Sequence, residues 1–168
     1  PDIHATIRRQ RQMCIRDRFG SGHAETVCLN EAGRKAQGAT LYVTLEPCSH
    51  SGKTGPCVER IIESRISRVV IGMKDPDRQV CGEGIKSLQN AGVDVVVGVL
   101  EDLVAEQLAP YVHHRNTGRP YVILKIATTL DGKVAAPDGS SQWITGPEAR
   151  REGHKLRAYS DAICCLLY

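Results

Sequence analysis

Hydrophobic and polar positions follow two different periods along residues 23–100, and the alternation predicts helices and strands in turn. Apolar residues recur at helical spacing over 24–36, and Gly38 predicts the end of that helix. Further helical stripes follow Pro56 and surround residues 85–88. Three β-rich runs predict strands, namely ATLYVTL (39–45), RVVIGM (68–73) and GVDVVVGVL (92–100). Strands separated by helices indicate βαβ units, so we predict an α/β fold with a parallel sheet.

The pattern changes at both ends of this region. Residues 1–22 are rich in arginine and show little apolar periodicity, so we predict an irregular segment. Residues 101–120 predict a helical connection that ends at a Gly-Arg-Pro sequence, and we place a domain boundary at 118/119. Within 119–168 we predict a strand in 121–135, a loop and helix in 141–158, and a last strand in 160–168. These elements are too few to close a core by themselves.

Composition narrows the classes of function. The net charge is +3 and aromatic residues make up 4% of the chain, which argues against a stacking surface for nucleic acid. Residues 1–18 lack the apolar core of a secretory signal, and no apolar run is long enough to span a membrane. The seven cysteines therefore indicate thiols or metal ligands in a reducing, cytoplasmic protein.

One constellation of residues carries chemistry. His23 opens a predicted helix, Cys48 follows a predicted strand in the sequence Glu-Pro-Cys, and Cys57 opens the next helix. A His-x-Glu sequence followed by Pro-Cys and a second cysteine is the signature of zinc-dependent nucleobase deaminases. Three protein ligands leave the fourth position of a tetrahedral zinc for water, as in catalytic sites. Eight residues separate the two cysteines, where many deaminases have two.

Glu25 lies two residues after His23, and its position in the first helical turn allows both side chains to reach the same point. Hydrolytic deamination requires a group that takes a proton from water and delivers it to the ring and to the leaving ammonia. A carboxylate beside the metal can act in this way as a general base and then as an acid. We therefore predict Glu25 as the catalytic residue of a zinc site.

The long segment PCSHSGKTGPC resembles the deaminase half of the bifunctional riboflavin-biosynthesis enzyme, in which diaminohydroxyphosphoribosylaminopyrimidine deaminase is joined to 5-amino-6-(5-phosphoribosylamino)uracil reductase. The resemblance continues through VVIGMKDPD, GVDVVVGVLED, TGRPYVILKIATTLDGKVA and SQWITGPEAR, and it covers roughly 23–163. It implies a cytidine-deaminase-like three-layer α/β/α domain over 23–118. It also implies a truncated dihydrofolate-reductase-like α/β fragment over 119–168, from a domain that uses NADPH.

The same resemblance assigns roles to individual residues. It makes His23, Cys48 and Cys57 the zinc ligands and Glu25 the proton shuttle. The residues implied to contact the deaminase substrate are His50, Lys53, Thr54, Asp75 and Asp77, with asparagine common in the family at the last position. In the second domain the resemblance implies substrate contacts at Lys125, Ser141 and Arg157, and cofactor contacts at Ala127 and Trp143.

The two ends of the chain depart from the family pattern. Family members carry a helix and two strands before the His-x-Glu helix, and residues 1–22 show no such pattern, so we expect those strands to be missing. QMCIRDR (12–18) and CCLLY (164–168) resemble adapter-derived sequence, and we expect non-native residues before about Phe19 and after about Ile163. We expect no reductase activity from this chain and weak or absent deamination.

Two other functions fit the metal constellation. Deamination of a base in transfer RNA or in a free nucleoside uses the same chemistry, although such enzymes usually have the shorter cysteine spacing. A structural zinc module is the alternative from another class, and it needs a fourth protein ligand, for which His50 is the candidate nearby. Because family members assemble, the resemblance also implies a homo-oligomer, although no pattern in the sequence marks its interface.

Overall fold

The computed structural model describes residues 2–3, 22–50, 55–78 and 80–164. The chain divides into two compact units, Pro1–Tyr121 and Val122–Tyr168. The domain boundaries given above stay a prediction. Every helix in the described ranges is too short or too polar to cross a lipid bilayer.

The first unit is built on a parallel sheet, as the sequence predicted, and the sheet has four strands where three were predicted. Its strands are β1 (Asp2–Ile3), β2 (Thr40–Leu45), β3 (Arg68–Met73) and β4 (Asp94–Val97), and they lie in that order. In the register, Leu41 pairs with Val69 and Leu45 with Met73, so β2 and β3 end side by side. The segments that follow these two strands therefore leave the same edge of the sheet.

Helices connect the strands and continue beyond them. In the first unit they are α1 (Ala24–Ala32), α2 (Cys57–Glu63), α3 (Glu83–Asn90), α4 (Glu101–Gln107) and α5 (Ala109–Thr117), with a 3-10 turn at Gly33–Ala36. The predicted helix over 24–36 is therefore an α-helix that tightens into this turn. The predicted helical connection over 101–120 is two helices, because the chain bends at Leu108.

Helices pack on both faces of the sheet, which gives the predicted three layers. Val69 and Ile71 are fully buried in one core with Leu29, Ile61 and Leu88, which belong to α1, α2 and α3. Adjacent strand residues point to opposite faces. On the other face, a Cβ added at Gly72 would lie 2.7 Å from Val104 of α4, so this residue must be small for the helix to reach the strand.

The second unit differs from the sequence prediction. Its helix is α6 (Pro147–Ala158), whose N-cap is Gly146. The strands predicted in 121–135 and 160–168 are absent from the described part of this unit, which ends at 164. Apolar side chains of the first segment are exposed, with 81% of Val122 and Leu124 accessible. An apolar pattern forms a strand only beside another strand that pairs its backbone groups, and the described residues of this unit supply none.

The structure also corrects one prediction for the N-terminal segment. Residues 2–3 form β1, which pairs in parallel with β2 through Asp2–Thr40 and Ile3–Leu41. A strand therefore precedes the His-x-Glu helix where we expected none. The sequence did not predict it, because a strand of two residues is too short to show a periodic pattern. The remaining residues of 1–21 lie outside the described ranges.

Candidate metal centre and active site

Three separate elements bring the predicted ligands together. His23 is the N-cap residue of α1, Cys48 lies in the loop after β2, and Cys57 is the first residue of α2. Pro56 precedes α2 with φ −63°, so it directs the chain into the helix at this cysteine. The ligand atoms of the three side chains all lie within 4.8 Å of one another.

The distances fit a single small cation. His23 Nδ1 is 3.2 Å from the sulfur of Cys57 and 3.5 Å from the sulfur of Cys48. With zinc bonds of about 2.3 Å to sulfur and about 2.0 Å to nitrogen, tetrahedral ligands lie roughly 3.5 to 3.8 Å apart. One imidazole and two thiols are also the donor set that zinc prefers. The three residues therefore fit a zinc ion without rearrangement of the backbone.

The two thiols are unequal. The hydrogen bond with the Cys57 thiol lowers the pKa of Cys48 to about 5, and the Cys57 amide and His23 act in the same direction. The same hydrogen bond and burial raise the pKa of Cys57. The two thiols therefore differ in how readily they lose a proton, and a bound cation would require both as thiolates.

Glu25 lies beside this cluster in the first turn of α1. Burial raises the pKa of its carboxyl group, while its own backbone hydrogen bond, the His23 charge and the Cys57 thiol lower it. A carboxyl group whose pKa is moved toward neutrality can both accept and donate a proton at ordinary pH. Glu25 is therefore a carboxyl group next to the predicted ligands, and its role as the proton carrier stays a prediction.

A second carboxylate, Glu46, supports the loop that carries Cys48. Glu46 is 3% exposed, and its oxygens accept hydrogen bonds from the amides of Asp75 (3.3 Å), Gly82 (2.9 Å) and Ile85 (3.2 Å). Gly84 packs beside it, since an added Cβ would lie 2.1 Å from the carbonyl oxygen of Pro47. The loop that follows β3 is therefore fixed against the residues immediately before Cys48.

Asp75 and Asp77 lie in that same loop. Asp75 is buried, and it accepts hydrogen bonds from the hydroxyl group of Tyr111 (2.9 and 3.2 Å) and from the Asp77 amide (2.8 Å). Asp77 is more accessible, and it pairs with Arg115 at 3.3 Å. The structure thus connects both predicted substrate residues to helix α5.

The remaining predicted deaminase residues lie between the two cysteines. His50 is exposed. Lys53 and Thr54 lie outside the described ranges, so their predicted role is not tested by the structure. The roles of all these loop residues stay predictions.

Within the second unit, one cavity of about 380 Å³ gathers the residues predicted for the reductase half. Its lining includes Lys125, Ala127, Ser141, Trp143 and Arg157. The guanidinium group of Arg150 lies 4.3 Å from the centre of the Trp143 ring and donates a hydrogen bond to the Thr145 carbonyl at 2.6 Å. The five residues that the resemblance assigned to the reductase site thus share one cavity. Arg150 also lines this cavity, and it was not predicted as a site residue.

Comparisons with known proteins agree with this arrangement. The sequence model of the cytidine and deoxycytidylate deaminase zinc-binding region matches residues 7–73, and that of the RibD C-terminal domain matches residues 120–165. The chain is 48% identical to the riboflavin biosynthesis protein RibD of Aquifex aeolicus over 147 residues, which cover 88% of this chain and 41% of that protein. It is also 48% identical to RibD of Escherichia coli over 146 residues, 87% of this chain and 40% of that protein.

The chain belongs to the RibD family. Two solved structures support this, each with a TM-score of 0.76 and 45% identity. The match to RibD of Acinetobacter baumannii covers 85% of this chain and 40% of that chain. The second structure is a diaminohydroxyphosphoribosylaminopyrimidine deaminase/5-amino-6-(5-phosphoribosylamino)uracil reductase of Thermotoga maritima. Its match covers 83% of this chain and 40% of that chain.

Family membership confirms the cytidine-deaminase-like fold class and a zinc-binding region that contains the His-Cys-Cys cluster. This chain spans about 40% of the length of the RibD relatives that it matches. The zinc-binding match begins at residue 7, inside the segment predicted to be non-native. The non-native origin of either end stays a prediction.

Proposed function

We propose that this chain carries the hydrolytic deaminase site of a RibD protein. The proposed substrate is 2,5-diamino-6-(5-phosphoribosylamino)pyrimidin-4-one, an intermediate of riboflavin biosynthesis, and the proposed location is the cytoplasm. The observation that carries the proposal is the cluster of three ligand atoms within 4.8 Å, with Glu25 beside it. The related Thermotoga maritima protein is named for the same deaminase chemistry.

In this proposal, His23, Cys48 and Cys57 hold the zinc ion. When bound, zinc lowers the pKa of a coordinated water to about 7 and so supplies a nucleophile at neutral pH. Glu25 would take one proton from the attacking water and deliver it to the ring nitrogen. It would then take the second proton from the new hydroxyl group and deliver it to the amino group, which leaves as ammonia. The burial that raises the pKa of Glu25 suits this double role, since the group must be a base and an acid in one cycle.

The proposed substrate contacts come from two segments of the sequence, one after β2 and one after β3. His50, Lys53 and Thr54 belong to the segment between the cysteines, and Asp75 and Asp77 to the segment after β3. A lysine is suited to the 5-phosphate because its ammonium group acts as a compact charge. In the proposal these loops bind a phosphorylated small molecule, and nucleic acid is not a proposed partner.

For the second unit, we propose a contribution to an NADPH-dependent reductase site. Ala127 and Trp143 are the proposed cofactor contacts, and Lys125, Ser141 and Arg157 are the proposed substrate contacts. Their common cavity supports this assignment, and four of the five side chains, all except Ala127, can donate a hydrogen bond to a phosphorylated ligand.

Ammonia release by the zinc-loaded chain, measured with the named substrate, tests the deaminase proposal. We expect weak but measurable turnover from the wild-type chain, and we expect Glu25→Gln to keep its zinc while losing about 100-fold to 10,000-fold of that rate. A Glu31→Gln variant, changed at an exposed position of the same helix, is the matched control. A zinc-loaded wild-type chain without turnover on this substrate would overturn the proposal. An active Glu25→Gln variant would remove the assigned role of that carboxylate.

A further inference from the structure

Tyr111 of helix α5 contacts the loop after β3. The hydroxyl group of Tyr111 donates to Asp75, with distances of 2.9 Å and 3.2 Å to the two carboxylate oxygens. Asp75 is 5% exposed, and one of its oxygens also accepts the amide of Asp77 at 2.8 Å. The carboxylate is thus occupied on both sides by groups of this chain.

A second contact holds the same loop from the same helix. Arg115, one turn after Tyr111, pairs with the carboxylate of Asp77 at 3.3 Å. Its guanidinium group also lies 5.3 Å from the centre of the Tyr111 ring. Two consecutive turns of α5 therefore fix two carboxylates that are two residues apart in the loop.

The opposite side of the loop is fixed to the strand edge that bears the metal ligands. Glu46 accepts the amides of Asp75 and Gly82, and the Glu46 amide donates to the carbonyl of Met73 at 3.0 Å. Glu46 itself lies two residues before Cys48. The loop is therefore held between α5 and the segment that leads to the metal centre.

The described side chains of α5 include none that is fully buried. Its attachment to the loop thus depends on these polar contacts more than on a packed apolar stripe. A hydrogen bond between a hydroxyl group and a buried carboxylate is directional, and it fixes the position of a loop in a way that apolar contact does not.

We propose that Tyr111 is a positioning residue, which acts through the Asp75 carboxylate to hold residues 75–78 where they meet the substrate. The inference rests on the deaminase function proposed above. It changes the role of Asp75, which becomes the link between Tyr111 and the loop, and it leaves Asp77 as the side chain of this loop that faces substrate. Tyr111 contacts neither the metal ligands nor the reacting atoms in this scheme.

The test compares Tyr111→Phe with wild type in the zinc-loaded full chain. Phenylalanine keeps the ring below Arg115 and removes the hydrogen bond. We expect KM for the substrate to rise about 10-fold, in line with the loss of one hydrogen bond to a charged group. We expect kcat and zinc content to stay within about two-fold of wild type, because the loop does not perform the proton transfers. Tyr121→Phe is the matched control, since Tyr121 contacts the His113 ring instead of Asp75.

Hydrogen exchange provides a readout that does not depend on turnover. The amides of Asp75, Asp77 and Gly82 should exchange at least about five-fold faster in Tyr111→Phe, while those of α1 and α2 should be unchanged. If the wild-type chain has no turnover, the deaminase proposal fails, and the exchange rates alone decide whether Tyr111 positions the loop.

Three results would overturn the inference. The first is unchanged exchange in the loop of the variant. The second, with an active wild type, is faster exchange without a change in KM, which would mean that the loop position does not matter to the substrate. The third is a parallel loss of kcat, zinc and exchange protection throughout the first unit, which would mean that the hydroxyl group supports the fold in general.

Discussion

The amide of Cys57 donates a hydrogen bond to the sulfur of Cys48 at 3.4 Å. The backbone that presents one predicted metal ligand thereby orients the other, and both sulfurs lie within 3.5 Å of the same nitrogen of His23. Amides directed at a sulfur stabilise its thiolate, so this arrangement favours a cation at the centre of the three groups. The metal site consequently depends on the first backbone amide of α2 as well as on the three ligand side chains.

Replacement of Cys48 by serine should weaken zinc binding by more than about 100-fold, since the loss of a ligand exceeds the usual effect of removing a supporting group. Cys81→Ser is the control, because Cys81 is an exposed thiol outside the cluster. Competition with a chromophoric chelator gives both affinities. Equal zinc affinity in Cys48→Ser and Cys81→Ser would show that the cluster is not the metal site.

A methyl group added at Gly84 should disturb the metal site indirectly, by displacing Pro47, the residue before Cys48. The new Cβ would lie 2.1 Å from the Pro47 carbonyl oxygen, which is backbone and cannot rotate away. We expect Gly84→Ala to lower the free energy of unfolding by about 1 to 3 kcal/mol, the usual cost of overpacking, and to weaken zinc binding. Gly146→Ala, with no heavy atom within 4 Å of the added Cβ, should leave zinc binding unchanged and should cost less than about 1 kcal/mol, the effect of a poorer N-cap residue. Urea unfolding and chelator competition measure the two effects, and a Gly84→Ala variant as stable as Gly146→Ala would contradict the close approach.

The Glu46 carboxylate can be tested by a change of one atom. Glu46→Gln puts an amide in place of an acceptor that serves three backbone N–H groups. We expect a loss of about 2 to 4 kcal/mol in the free energy of unfolding, since hydrogen bonds to charged acceptors are stronger and a buried donor is left opposite another donor. Glu63→Gln changes an exposed carboxylate that pairs with Arg60 at 3.2 Å, and it should cost less than about 0.5 kcal/mol. Similar unfolding midpoints for the two variants would show that Glu46 is not a structural anchor.

The sequence predicted the metal centre well for a physical reason. His23, Cys48 and Cys57 each stand at the start of a helix or the end of a strand, and such positions meet at one edge of a parallel sheet. Residue type and order were therefore sufficient to bring the three together. The contact between Asp75 and Tyr111 spans 36 residues and two helices, and no period or spacing marks it. Asp75 was consequently predicted as a substrate contact, with no sign that its carboxylate is bonded within the chain.

Local sequence patterns also gave wrong predictions where a neighbouring strand decides whether a segment becomes a strand. The segment 121–127 has the composition of a strand, yet its described backbone pairs with no neighbouring strand. Conversely, Asp2 and Ile3 form a strand with only two residues because β2 is available beside them. Pairing thus determined both outcomes, whereas the buried strands β2 and β3 were predicted from apolar runs that continue through the core.

The pH dependence of stability should report on the Tyr111 hydroxyl group. Burial, followed by the hydrogen bond and charge of Asp75, raises the pKa of Tyr111 to about 12, whereas the value in the unfolded chain is about 10. Because the folded state binds this proton more tightly, its stabilisation is fully present below pH 10 and is lost as the pH rises from about 10 to about 12.

The part-exposed position of Tyr111 reduces the effect through solvent screening, so we expect Tyr111→Phe to be about 1 kcal/mol less stable than wild type at pH 8. Urea unfolding at pH 8 and near pH 12 measures the difference, which should shrink toward zero at the higher value. Tyr121→Phe, which alters a ring that packs edge-on against His113, should follow wild type at both values. A difference between Tyr111→Phe and wild type that is the same at both pH values would show that the bond to Asp75 does not stabilise the folded chain through its proton.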